Sequence, residues 1–186
     1  GMAVVSAVEP EFDFPAYHAL LIGIDKYQHW TPLHNAVENV MELSFVLTND
    51  YRFKPENVTI LVNEQATFSR ISRAFRDILK LETNASALIY YAGHGADDPE
   101  LEWGYWIPVD APKTDNPANG GISHQSIRRY SEQSKALQLL IVADSCFSGG
   151  LLRGDDQGNV RGDGKAHVYQ ELMRYRGRHV LTSGGL

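Results

Sequence analysis

The sequence contains one cysteine, and its setting suggests nucleophilic chemistry. Cys146 follows the apolar run Leu137–Ala143 and Asp144-Ser145, and it precedes Phe147-Ser148-Gly149-Gly150. A second apolar run, Ser86–Ala92, ends in Gly93-His94-Gly95. A thiolate attacks a carbonyl carbon, whereas a free thiol with a pKa near ~8.5 is mostly protonated at neutral pH. A neighbouring imidazole holds the reactive form and later protonates the leaving amine. The negative oxygen formed in the attack needs fixed donors. Gly95 has no side chain, so its N–H can approach a substrate closely, and the N–H of Cys146 is a second candidate donor.

These residues need elements to carry them. Runs of Leu, Ile and Val bounded by small polar residues read as buried strands, which belong mostly to parallel sheets covered by helices. Ligands in such sheets sit beyond the carboxyl ends of the strands. If the two runs are neighbours, the histidine and the cysteine meet over one crevice. His18–Ile24, Val58–Val62 and Arg178–Ser183 read as further strands, and Tyr105–Val109 as part of a small ribbon. Leu33–Thr48 is predicted helical, with Leu33, Ala36, Val37, Val40, Ser44 and Leu47 on one face. Thr67 is a candidate N-cap for a helix with Phe68, Ile71, Phe75, Ile78 and Leu79 along its stripe, and Ser123 for a helix to about Gln133. Ala96–Trp103, with Asp97, Asp98, Glu100 and Glu102, and Lys113–Gly121 read as loops; Leu152–Lys165 reads as a surface loop and Val168–Tyr175 as a short helix. Strand and helix alternate, so the expected fold class is α/β: a three-layer α/β/α sandwich with a mainly parallel central sheet.

Composition bounds the alternatives. The 186 residues suit one domain, with 43% hydrophobic and 22% charged residues typical of a globular protein. A net charge of −6 argues against nucleic acid as a partner. No apolar run reaches the roughly 18 residues of a membrane helix, so no membrane partner is expected. One cysteine excludes an internal disulfide and a multi-cysteine metal site. The start lacks the basic region of a secretory signal, and a cytoplasmic setting is the default expectation. Gly1 before Met2 reads as a tag remnant, and residues 1–17 as a lead-in. A strand begun at Arg178 suggests a longer gene product, or one part of a cleaved or split protein.

Tyr90-Tyr91-Ala92-Gly93-His94-Gly95 and Asp144-Ser145-Cys146-Phe147-Ser148-Gly149 resemble the His-Gly and Asp-Ser-Cys blocks of the caspase–metacaspase superfamily of cysteine peptidases. Cys146 follows His94 by 52 residues, close to the ~50-residue separation of caspases. Leu20–Ile24, Ile107-Pro108-Val109-Asp110 and Val180–Gly184 resemble further blocks, so the likeness runs from about residue 18 to the end. It implies a caspase-like fold over 18–186, His94 as catalytic histidine, Cys146 as nucleophile, Gly95 and Cys146 as oxyanion donors, and protein or peptide substrates. In metacaspases the Asp of Asp-Ser-Cys lines the pocket for the residue before the cut and favours Arg or Lys; here that is Asp144, which alternatively caps its turn. Metacaspases add a second acid in the first helix, where this chain has Glu38-Asn39, leaving Glu38 or Asp25 as substitutes. Many metacaspases need calcium, but the aspartates here do not follow that pattern, so no metal and no cofactor is predicted. Arg153, Arg161 and Lys165 become candidate self-cleavage points. The competing reading is a catalytically silent caspase-like module that binds partners. Oligomeric state is not specified by these residues.

Overall fold

The computed structural model describes residues 16–98, 100–101, 103–145 and 176–182. The chain runs β1 (Tyr17–Gly23), α1 (Ala36–Asp50), β2 (Val58–Val62), α2 (Phe68–Leu79), β3 (Ser86–Ala92), β4 (Gly95–Asp98), β5 (Trp103–Trp106), β6 (Ile122–Ser123), α3 (His124–Gln133), β7 (Gln138–Asp144) and β8 (Gly177–Thr182). Five strands form one sheet in the order β2-β1-β3-β7-β8, with every pairing parallel. The other three form an antiparallel ribbon, β4-β5-β6.

The strand alternation explains the layers. Along β3 as far as Tyr91 and along β7 as far as Ala143, buried residues alternate with half-buried ones. Leu20, Ile22, Leu61, Ile89, Tyr91, Leu139 and Ile141 face Ile71, Phe75 and Ile78 of α2 and Ile127 of α3. Ala19, Leu21, Leu88 and Tyr90 face Val40 and Leu47 of α1. Helices therefore cover both faces, which is the expected sandwich. Trp106 carries the ribbon into the larger core: its ring stacks on Tyr91 at 4.4 Å and 4°.

The element bounds differ from expectation where a distant residue intervenes. The first helix begins at Ala36, not Leu33, because the Asp25 carboxylate accepts the N–H groups of Ala36 (2.9 Å) and Val37 (3.1 Å). That side chain caps the helix from eleven residues upstream and answers two of its free donors. Thr67 does cap α2, accepting from Arg70 N, while Asp110 accepts from Phe68 N at 2.8 Å. Phe68, expected on the buried stripe, is 44% exposed at the helix start. Ser123 caps α3 as expected. Ala96–Trp103 was expected to be loop throughout, yet Ala96–Asp98 belong to β4 and Trp103 opens β5. β4 is an edge of the ribbon, where polar and charged side chains are tolerated, so its sequence reads as loop. Tyr17, placed in the lead-in by sequence, starts β1; the rest of that lead-in before Ala16 lies outside the described residues, as do the expected loop at 152–165 and helix at 168–175.

β8 also serves α3. The Arg178 guanidinium donates to the carbonyls of Ser131 (2.9 Å), Ser134 (2.8 Å) and Ala136 (3.0 Å). A cation there answers carbonyls left open at the helix end. Among the described residues, no helix is long and apolar enough to cross a membrane.

Candidate active site

His94 stands two residues beyond the end of β3, and β3 lies beside β7 with Ala92 opposite Asp144. The pairing continues one step further, where Gly93 N donates to Asp144 O at 3.4 Å. The two apolar runs are therefore neighbours in register, and each leaves the sheet at the same level. Cys146, both as nucleophile and as oxyanion donor, lies outside the described residues, as do Arg153, Arg161 and Lys165.

The histidine is held at three points. Its Nε2 lies 2.8 Å from the Thr31 carbonyl oxygen, with Thr31 Oγ1 at 3.5 Å. A carbonyl can only accept, so the ring proton belongs on Nε2 and Nδ1 is left as the basic nitrogen. The ring packs against Tyr27 (4.8 Å between centroids) and Trp30 (5.6 Å). The backbone is clamped as well: the His94 N–H donates to Tyr27 Oη at 2.7 Å, and Tyr91 Oη donates to the His94 carbonyl at 2.6 Å. Tyr91 Oη in turn accepts from Ile107 N at 3.1 Å. Burial pushes the Tyr27 phenol up to about 12, and burial raises Tyr91 well above its ordinary value, so both hydroxyls keep their protons at neutral pH. Gly93 is needed between them. A Cβ there would come within 2.6 Å of Tyr27 Oη and 2.7 Å of Tyr91 Oη.

Gly95 opens β4 opposite Trp106. One step before that pair, Ile107 N donates to His94 O at 3.0 Å.

Asp144 ends β7 with an exposed side chain. It is brought near Tyr90 and Asn39. The Tyr90 phenol is raised first by burial and then by the Asp144 charge, while a hydrogen bond from Asn39 acts against both. Asn39, of the Glu38-Asn39 pair in α1, thus meets the same Tyr90 phenol that the Asp144 charge acts on. Both Asp25 carboxylate oxygens cap α1. Glu38 is exposed on α1. Asp98 serves its own turn, accepting from Glu100 N (2.9 Å) and Leu101 N (3.2 Å). Among the described residues, no cluster of three His, Cys, Asp or Glu side chains is arranged to hold a metal.

Sequence reasoning does not single out Thr31, Tyr27 or Trp30, which follow the first buried strand. The signal was an aromatic pair three residues apart directly after a buried strand.

Comparison with known proteins agrees with this geometry. Residues 16–176 match the family described as Caspase domain (Peptidase_C14). Metacaspase-7 of Arabidopsis thaliana is 30% identical over 149 residues, covering 74% of this chain and 36% of that protein. Metacaspase-1B of Neurospora crassa is 29% identical over 152 residues, covering 73% and 34%. The chain therefore spans about a third of the length of these relatives. Among solved structures, a Geobacter sulfurreducens protein aligns with a TM-score of 0.57 at 20% identity, over 71% of this chain and 51% of that one. The structure titled pro-sf-caspase-1 aligns at 0.50 and 15% identity, over 89% and 60%. Sequence match and fold agree: the chain belongs to the caspase-domain family of cysteine peptidases, with metacaspases among its relatives.

Proposed function

We propose that this chain carries the catalytic dyad of a cysteine endopeptidase that cuts after Arg or Lys. The observation that supports it best is the His94 imidazole at the end of the strand next to the one leading to Cys146, with Nε2 bound to a backbone carbonyl and Nδ1 without a partner among the described residues. In this reading Cys146 Sγ, as thiolate, attacks the scissile carbonyl carbon. The oxygen takes the negative charge and is met by the N–H groups of Gly95 and Cys146. His94, protonated on Nδ1, gives that proton to the leaving amine as the C–N bond breaks. Water then adds to the thioester, His94 Nδ1 accepts its proton, and the thiolate leaves to release the acid product.

Asp144 is the acid that pairs with the substrate's guanidinium or ammonium, since a charge taken from water needs an opposite partner. With Asn39 in place of a second carboxylate, selectivity rests on one charge, so Arg and Lys are accepted with a weaker margin than two acids would give. Arg153, Arg161 and Lys165 are the candidate points of self-processing. Protein or peptide segments with an accessible basic residue are the substrates.

A fluorogenic peptide panel with Arg, Lys or Asp before the scissile bond, with and without calcium, tests this. Hydrolysis after Arg and Lys, lost in Cys146→Ala, is the expected result. A thiol-reactive peptide probe ending in Arg should label the wild type and fail on His94→Ala. An unlabelled wild type would overturn the peptidase reading in favour of a silent module. For self-processing, identical clipping of wild type and Cys146→Ala would remove it.

A further inference from the structure

A second cleft, unrelated to the dyad, runs along α2. Its volume is about 290 Å3, and it lies between α2 and the β1–β2 side of the sheet. Leu61, Ile78 and Leu81 make its walls apolar, and Ala74 leaves room between them. At its lower end lies His18, at the amino end of β1, whose imidazole burial keeps below its ordinary value and therefore neutral at pH 7. The other rim carries Arg70 and Arg73, both exposed. Neither forms an ion pair among the described residues, while Asp77, the acid on this wall, is engaged by Lys80 at 2.9 Å. An apolar trough with two uncommitted guanidinium groups suits an extended segment that alternates acidic and aromatic side chains.

The chain contains such a segment. Glu9-Pro10-Glu11-Phe12-Asp13-Phe14-Pro15 alternates acids with Pro and Phe, and it joins β1 through Ala16, two residues from His18. From Ile78 to Arg70 α2 spans roughly 12 Å at ~1.5 Å per residue. An extended chain covers that in about four residues at ~3.3 Å each, within the reach of residues 9–15. We propose that residues Glu9–Pro15 dock in this cleft, with their aromatic side chains toward the apolar wall and their carboxylates near Arg70 and Arg73. Tethering raises the local concentration of the segment to about the millimolar range, so weak contacts suffice. The His18 end of the cleft is at the amino ends of the strands, whereas His94 lies beyond their carboxyl ends, so the docking is independent of the peptidase reading.

Disulfide trapping in the full chain tests it. Cys146→Ala removes the only native thiol, and Phe12→Cys with Ala74→Cys introduces the pair. The expected result is an intramolecular disulfide, formed about tenfold faster than by a control pair of Phe12→Cys with Glu42→Cys on the exposed side of α1. Arg70→Glu with Arg73→Glu should slow it about tenfold, since it turns two exposed attractions into repulsions. Adding Glu9→Arg, Glu11→Arg and Asp13→Arg to that chain should restore the rate. Equal rates for test and control pairs would overturn the proposal. So would a disulfide formed only between two chains, or a rate indifferent to charge reversal.

Discussion

His94 leads into the β4–β5–β6 ribbon and His124 follows it, and the two imidazoles are built in opposite ways. His124 is 4% exposed at the start of α3, and neither ring nitrogen has a hydrogen-bond partner among the described residues. Its ring fills the space over Gly104, where a Cβ would come within 2.4 Å of two ring atoms. Burial pushes its pKa down to about 4, so it stays neutral at physiological pH. His94 is half-buried, with one nitrogen held by a carbonyl and its ring lined by aromatic faces. Burial alone makes a histidine a packing piece; one committed nitrogen and one open nitrogen make it able to exchange a proton.

That contrast can be broken at several strengths. The largest effect should come from His94→Ala, which removes general acid–base chemistry worth roughly 10²–10⁴ in kcat/KM, while His124→Leu leaves steady-state kinetics at pH 7.5 within about twofold. Next is acid stability. The unfolded His124 takes a proton near 6.5 and the folded one only near 4. Its neutral form therefore supports the fold above pH 6.5, and that support is lost as pH falls from 6.5 toward 4. The loss should be about 3 kcal/mol over that window. Denaturant midpoints at pH 7 and pH 4 measure it, and His124→Leu should flatten the difference. Gly104→Ala comes third: it forces a methyl into the His124 ring and should cost about 2 kcal/mol. Thermal unfolding reads the cost, and a second Gly104→Ala in a His124→Ala chain should cost much less. Smallest is Tyr27→Phe, which removes the acceptor of the His94 N–H. Losing one such bond is worth about 1 kcal/mol, so kcat should fall about fivefold with KM little changed.

The strands were legible because short apolar runs bounded by small or polar residues leave few alternatives. Val58–Val62 and Ser86–Ala92 stand where the pattern places them. Helix caps were legible where the capping side chain is local, as with Thr67 and Ser123. The start of α1 was not, since Asp25 caps it across a loop. Nor was β4, whose acidic edge carries no apolar alternation. The histidine was visible from its place between two glycines after a buried strand. The loop that orients it was not, because Thr31 acts through a backbone carbonyl and any residue type has one.

The sequence by itself determined which side chains can do chemistry, and which segments must be buried to carry them. Those properties are local, set by residue type and by the period of the apolar pattern. Tertiary structure alone decided that the strand ending at Ala92 lies beside the one ending at Asp144, that Nε2 rather than Nδ1 is occupied, and that Asp25 serves a helix. Each depends on partners far apart in the chain, brought together only when the sheet closes over its core.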